Sequence, residues 1–250
     1  MNNANSNAKF GMSLTKKLLV ALCALAAVVT IVVTSVLATV AYLTSSAAVS
    51  NVFTVGNVTM KMTETKVNPD GTPVDPAERV DTNTYHLVPG KTYLKDPVIT
   101  IEPGSENSYL FVLVRNDLET IAANTAAAPS IARQLNENGW AKYTKAATGW
   151  VYVYVGFDDF GDTNAPETDL TTNAASSNLA AKEAVVGQYK LFEEFTIAST
   201  VTDKELQIYN GAKITLTAAA IQADGEENFT LDAAWAAIVA TYPYIHTGTN

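Results

Sequence analysis

The 250-residue sequence predicts an all-β protein, an antiparallel two-sheet sandwich of jelly-roll type with one or two short accessory helices. Three observations carry this expectation. Segments rich in Val, Ile, Thr, Tyr and Phe recur at strand length through residues 58–242. Pro-Gly and other turn signals punctuate them. Helical spacing of apolar residues is confined to short stretches.

Ahead of this domain, Lys9, Lys16 and Lys17 precede 26 uncharged residues, Leu18–Leu43. A basic start followed by an apolar run is the pattern of an N-terminal hydrophobic signal helix. The run also reaches the roughly 20 residues needed to cross a bilayer, so residues 1–41 read as a signal peptide or a signal anchor. Either keeps the basic end in the cytoplasm and places the remainder outside. Small residues Thr39 and Ala41 suit a signal peptidase, with cleavage between Ala41 and Tyr42. Cys23, the sole cysteine, follows Leu22 with most of the apolar run behind it, the wrong order for lipid attachment. The exported part therefore has no disulfide and depends on packing.

Uncharged sequence continues to Met60, making residues 42–57 an N-terminal segment that something must bury. Phe53 and Val55 alternate with polar neighbours; after Gly56-Asn57 the phase shifts to Val58, Met60 and Met62, which predicts a strand with a bulge. Charges and Pro69, Gly71, Pro73 and Pro76 make residues 65–82 an exposed loop. Pro89-Gly90 and Pro103-Gly104 bracket a strand from Thr92 to Ile101. The apolar run Ser108–Val114 predicts a strand buried on both faces. Trp150, Tyr152 and Tyr154 alternate with Val151, Val153 and Val155 in another strand. Residues 158–188 read as an inserted loop, and Tyr189–Ile197 as a further strand.

In residues 211–222, Ile214, Leu216, Ala218 and Ala220 alternate with Lys213, Thr215 and Thr217, predicting one buried and one wetter face. Ser130 caps a short helix closed by Gly139. Leu231, Ala234, Trp235, Ile238 and Val239 share one helical face behind a Thr230 cap, a lid for the sheet. Residues 243–250 form a polar tail.

Removing the three leader lysines leaves 13 basic against 25 acidic side chains, a net charge of −12. Such a balance excludes a nucleic-acid binder and disfavours docking on anionic lipid; any membrane attachment runs through an uncleaved leader.

Four sequence stretches resemble the TasA/camelysin family of secreted proteins of Gram-positive bacteria. They are Ala41-Tyr42-Leu43-Thr44, the run Asn51–Val58, Leu87–Pro97 with Glu102-Pro103-Gly104-Ser105-Glu106, and Ala220–Gly225 followed by the Trp235 helix. The resemblance implies a leader handled by a SipW-type signal peptidase and an extracellular jelly-roll subunit that polymerises into biofilm matrix fibres. It also implies that the freed N-terminal strand of one subunit completes the sheet of the next. The candidate donor is Tyr42–Asn51, including Val49, with Val52, Phe53 and Val55 either continuing it or forming the subunit's own first strand. The alternatives are a linker at this position and a monomeric, membrane-anchored surface module binding a glycan or protein ligand.

Camelysin relatives have been described as metalloproteases, but His86 and His246 lie in unrelated contexts and no His-Glu-x-x-His occurs, so no enzyme or cofactor is expected. His86 reads as a strand-end residue. Asp158, Asp159 and Asp162, with Glu167 and Asp169, are the calcium candidates, though without EF-hand spacing. Glu193 and Glu194, as strand neighbours, point to opposite faces and cannot pair as a glycosidase dyad. The stripe Trp150, Tyr152, Tyr154 reads as core in preference to a carbohydrate platform.

Overall fold

The computed structural model describes residues 44–47, 50–156, 183–223, 230–243 and 245. The chain divides into two units, Met1–Tyr42 and Leu43–Asn250, and all described residues belong to the second. The expected leader, its cleavage point at Ala41 and Tyr42, Val49, the calcium candidates Asp158, Asp159 and Asp162, and His246 lie outside the described residues.

The fold is mostly β with antiparallel sheets. In chain order the strands are β1 (Thr44–Ala47), β2 (Ser50–Val55), β3 (Met60–Thr65), β4 (Arg79–Val80), β5 (Thr84–His86), β6 (Thr92–Leu94) and β7 (Val98–Ile101). After them come β8 (Ser108–Asn116), β9 (Trp140–Ala146), β10 (Gly149–Tyr154), β11 (Gly187–Lys190), β12 (Glu194–Thr196) and β13 (Ile214–Gln222). Among the described residues, three short α-helices accompany them: α1 (Ile131–Glu137), α2 (Asp203–Leu206) and α3 (Leu231–Thr241).

One sheet has the order β2-β13-β8-β10-β9 and a second β11-β7-β3-β4, while β12 pairs with β6 and β1 with β5. Alternation along β8 and β10 assigns the two faces of the five-stranded sheet. Leu110, Val112, Val114, Tyr152 and Tyr154 join Met60, Met62, Ile99 and Ile101 of the second sheet in one core. Phe111, Leu113, Val151 and Val153 point the other way and pack with Ala234 and Ile238 of α3. The apolar run of β8 is thus buried on both faces, as expected.

Both helix caps match the sequence expectation. The Ser130 and Thr230 side chains accept from the N–H groups of Arg133 and Ala233. Gly139 follows α1 at φ 82°, a left-handed conformation that glycine adopts without strain. α3 is the predicted lid: Trp235 lies 5.4 Å from Phe111 between ring centroids, and the Tyr143 hydroxyl donates to Asp232 at 2.5 Å.

Several sequence expectations need correction. The bulged strand across residues 53–62 is two strands, β2 and β3, in different sheets, because Gly56 at φ 88° turns the chain from one to the other. Thr92–Ile101 divides into β6 and β7, and Tyr189–Ile197 into β11 and β12. These two interruptions face each other. Register is kept across them, from Val98↔Lys190 to Leu94↔Glu194, with Lys95 N–H donating to Glu193 and Leu191 N–H to Pro97. Pro97 has no N–H for the ladder, so pairing there becomes irregular. The expected wet face of β13 is largely dry: Thr217, Ala219 and Ile221 are buried, because α3 covers that side. The loop over residues 65–82 is mostly exposed, yet it contributes β4 and a buried Val67.

Gly149 begins β10 where the backbone of β8 passes closest. A Cβ at this position would stand 2.2 Å from the Val114 carbonyl oxygen, a backbone atom that cannot swing aside. Gly149→Ala is therefore expected to destabilise the domain by about 1–3 kcal/mol, the usual range for forced overpacking, read as a lower urea midpoint.

Candidate functional site

The N-terminal segment enters the domain as two strands. β1 pairs antiparallel with β5, from Thr44↔His86 to Ala47↔Thr84. β2 then lies against β13 in parallel, from Ser50↔Leu216 to Val55↔Ile221. Every other strand pairing among the described residues is antiparallel. β2 is terminal in its sheet, so one side of its backbone pairs with β13 and the other is a sheet edge.

Among the described residues, three contacts besides this ladder bear on β2 and its exit. Val52 is half-buried against the inter-sheet core. The Tyr242 hydroxyl, at the end of α3, donates to the Thr54 carbonyl at 2.6 Å. Beyond the strand, Asn57 N–H donates to the Gln222 side chain at 3.3 Å. Beneath β2, the strand β13 carries Ala218, Ala219 and Ala220 at its centre, small side chains that leave room for those of an adjacent strand.

Of the assembly residues named from the sequence, Val52, Phe53 and Val55 lie in β2, the edge strand of the five-stranded sheet. Thr44–Ala47, within the candidate donor Tyr42–Asn51, forms β1.

A second cluster was not singled out by sequence reasoning. Lys95 is 1%, Glu64 3% and Asn83 5% exposed. Lys95 Nζ donates to Glu64 Oε2 at 2.5 Å, and Asn83 Nδ2 donates to Glu64 Oε1 at 3.0 Å and to the Thr65 carbonyl at 2.8 Å. Asn83 Oδ1 accepts from Val67 N–H at 2.9 Å. Burial pulls the Lys95 ammonium below its ordinary range, against the opposing pull of Glu64 and Asp96. Nearby, Arg79 bridges Asp96 at 3.3 Å. Tyr85, Tyr93 and Phe195 pack ring on ring at 5.2–5.8 Å alongside; burial, then the charges of Glu64 and Asp96, raises the Tyr85 phenol. The signal was present in the alternation. Met60, Met62 and Glu64 share the inward row of β3, and Lys95 stands two residues beyond Tyr93.

The remaining sequence candidates are readily placed. Tyr152 and Tyr154 lie in the inter-sheet core, as expected of the aromatic stripe. Trp150, at its outer end, borders a recess of about 270 Å³ with Lys145, Glu119 and Asn116. Lys142 Nζ sits 3.9 Å over the Trp150 ring, on a face that a sugar would need. His86 ends β5, and its carbonyl accepts from the Tyr93 hydroxyl. Glu193 precedes β12 and pairs with Lys190, while Glu194 begins the strand.

No protein-family model, curated protein or solved structure matches this chain.

The Tyr242 clasp makes a measurable contribution. Tyr242→Phe removes one hydrogen bond to β2 and is expected to lower stability by about 0.5–1.5 kcal/mol. Amide exchange should quicken in Ser50–Val55 while β8 keeps its protection.

Proposed function

We propose that this chain is a secreted structural subunit of extracellular matrix or cell-surface fibres, a jelly-roll domain that assembles by strand exchange between copies. The observation that carries this reading is the parallel pairing of β2 at the edge of an otherwise antiparallel sheet. β2 belongs to the N-terminal segment, and Gly56 joins it to the body of the domain at φ 88°. Its departure would bare the backbone edge of β13 and the apolar strip filled by Val52. A copy of the same strand from a neighbour satisfies both, with backbone pairing supplying affinity and alternate side chains supplying register. Each subunit then gives one strand and receives one. That head-to-tail arrangement does not close and grows into a filament.

The sequence resemblance to the TasA/camelysin family supports the same reading, as does the leader. In this scheme a SipW-type peptidase cuts after Ala41, and release of the new amino end at Tyr42 lets the segment leave its own domain. Before cleavage, β1 and β2 occupy their own subunit and hold the protein monomeric. The role is structural and requires neither catalysis nor a metal.

Deleting residues 42–55, which removes all of β2, from the mature protein should abolish filaments in electron micrographs while circular dichroism keeps its β signal. Persisting filaments would reject strand exchange. Sequencing the extracellular material should give a start near Tyr42; a full-length chain retained in the membrane would favour an anchored surface module instead.

A further inference from the structure

We propose that Lys95 and Asn83 become joined by an intramolecular isopeptide bond, formed within the folded domain with Glu64 as the proton-transfer residue. The cluster holds each component of an acyl transfer. Lys95 Nζ is an amine nucleophile sealed from water, and the Asn83 side-chain amide is the acceptor. One carboxylate binds both, with Oε2 on the Lys95 nitrogen and Oε1 on the Asn83 nitrogen. Val67 N–H donates to Asn83 Oδ1, where negative charge develops during attack. The amide orientation is set by its partners: an N–H group meets the oxygen, while the Thr65 carbonyl and the Glu64 carboxylate meet the nitrogen.

The reaction balances without an oxidant or co-reactant. In this dry site Lys95 passes a proton to Glu64, leaving a neutral amine beside a neutral acid. The Nζ lone pair forms a bond to Asn83 Cγ, and Val67 N–H stabilises the oxyanion. Glu64 gives its proton to Nδ2 and takes one from Nζ. The Cγ–Nδ2 bond then breaks, its electron pair leaves with nitrogen, and one ammonia departs. Glu64 ends as it stood before the attack.

Two physical features favour the product. Glu64 in β3 hydrogen-bonds both Asn83, just ahead of β5, and Lys95, just after β6, so the fold has already met much of the entropy cost of bringing these groups together. The product also replaces a buried ammonium, expensive to desolvate, with a neutral amide. Escape of ammonia to solvent makes the step irreversible in practice. The bond would tie the entry of β5 to the end of β6, fixing the strand on which β1 lies. It uses none of the β2–β13 edge and stands independently of the fibre reading.

Mass spectrometry of the full chain tests this. A protease digest of the folded protein should yield a branched peptide joining Asn83 to Lys95, lighter by one ammonia than the two parent peptides. Glu64→Gln should give only the separate peptides at their sequence masses, with circular dichroism confirming that it folds. Recovery of unlinked Asn83 and Lys95 peptides from the folded wild-type chain would overturn the proposal, whatever the variants do. Equal cross-linking in folded Glu64→Gln would overturn the role of Glu64.

Discussion

The five-stranded sheet is apolar on both faces, and the rest of the domain follows from that constraint. β8 and β13 pair along their whole length, from Ser108↔Gln222 to Asn116↔Ile214, and place buried side chains above and below. A sheet of this kind must be covered twice. The second sheet, with Met60, Met62, Ile99 and Ile101, covers one face, and α3, with Ala234 and Ile238, covers the other. The edges remain. β9 ends one side, and on the other the N-terminal segment lays β2 against β13. β2, the earliest strand of this sheet in chain order, is therefore also one of its edges, which couples an early segment of the chain to the completeness of the sheet.

The buried Glu64–Lys95 pair obeys a different logic. An ion pair in a dry interior gains strong attraction yet loses hydration, and the balance seldom favours it over apolar packing. Its presence here is tied to the interruption between β6 and β7. Pro97 breaks the ladder, and Lys95, next to the break, extends inward to Glu64 while its backbone N–H reaches Glu193. Asn83 and Thr65 complete the hydrogen bonds, so that the polar atoms of the cluster have partners. The three aromatic rings beside it exclude water and strengthen each of these interactions.

Much of the architecture was legible in local pattern. The strand at Ser108–Val114, the aromatic and valine faces of Trp150–Val155, the Ser130 and Thr230 caps and the lid helix all follow from periodicity and from hydrogen-bonding groups within a few residues of each other. The errors share a cause. A long apolar run does not reveal which sheet it joins, so residues 53–62 read as one strand although Gly56 sends its halves to different layers. Likewise Thr217 reads as wet along β13, and only the later helix α3 makes it dry. The inward polar residues Glu64, Asn83 and Lys95 were visible as exceptions to alternation, but their meeting depends on separations of 19 and 31 residues.

The sequence by itself determined the β character of the domain, two of its capped helices and the uncharged stretch from Leu18 to Met60, because each depends on neighbours along the chain and on the period of side-chain direction. Tertiary structure alone decided that β2 lies parallel to β13, and that a lysine, a glutamate and an asparagine share one dry pocket. These are pairings between distant segments. They are selected by which faces and backbone edges remain uncovered once the central strands have met, and no local preference encodes that choice.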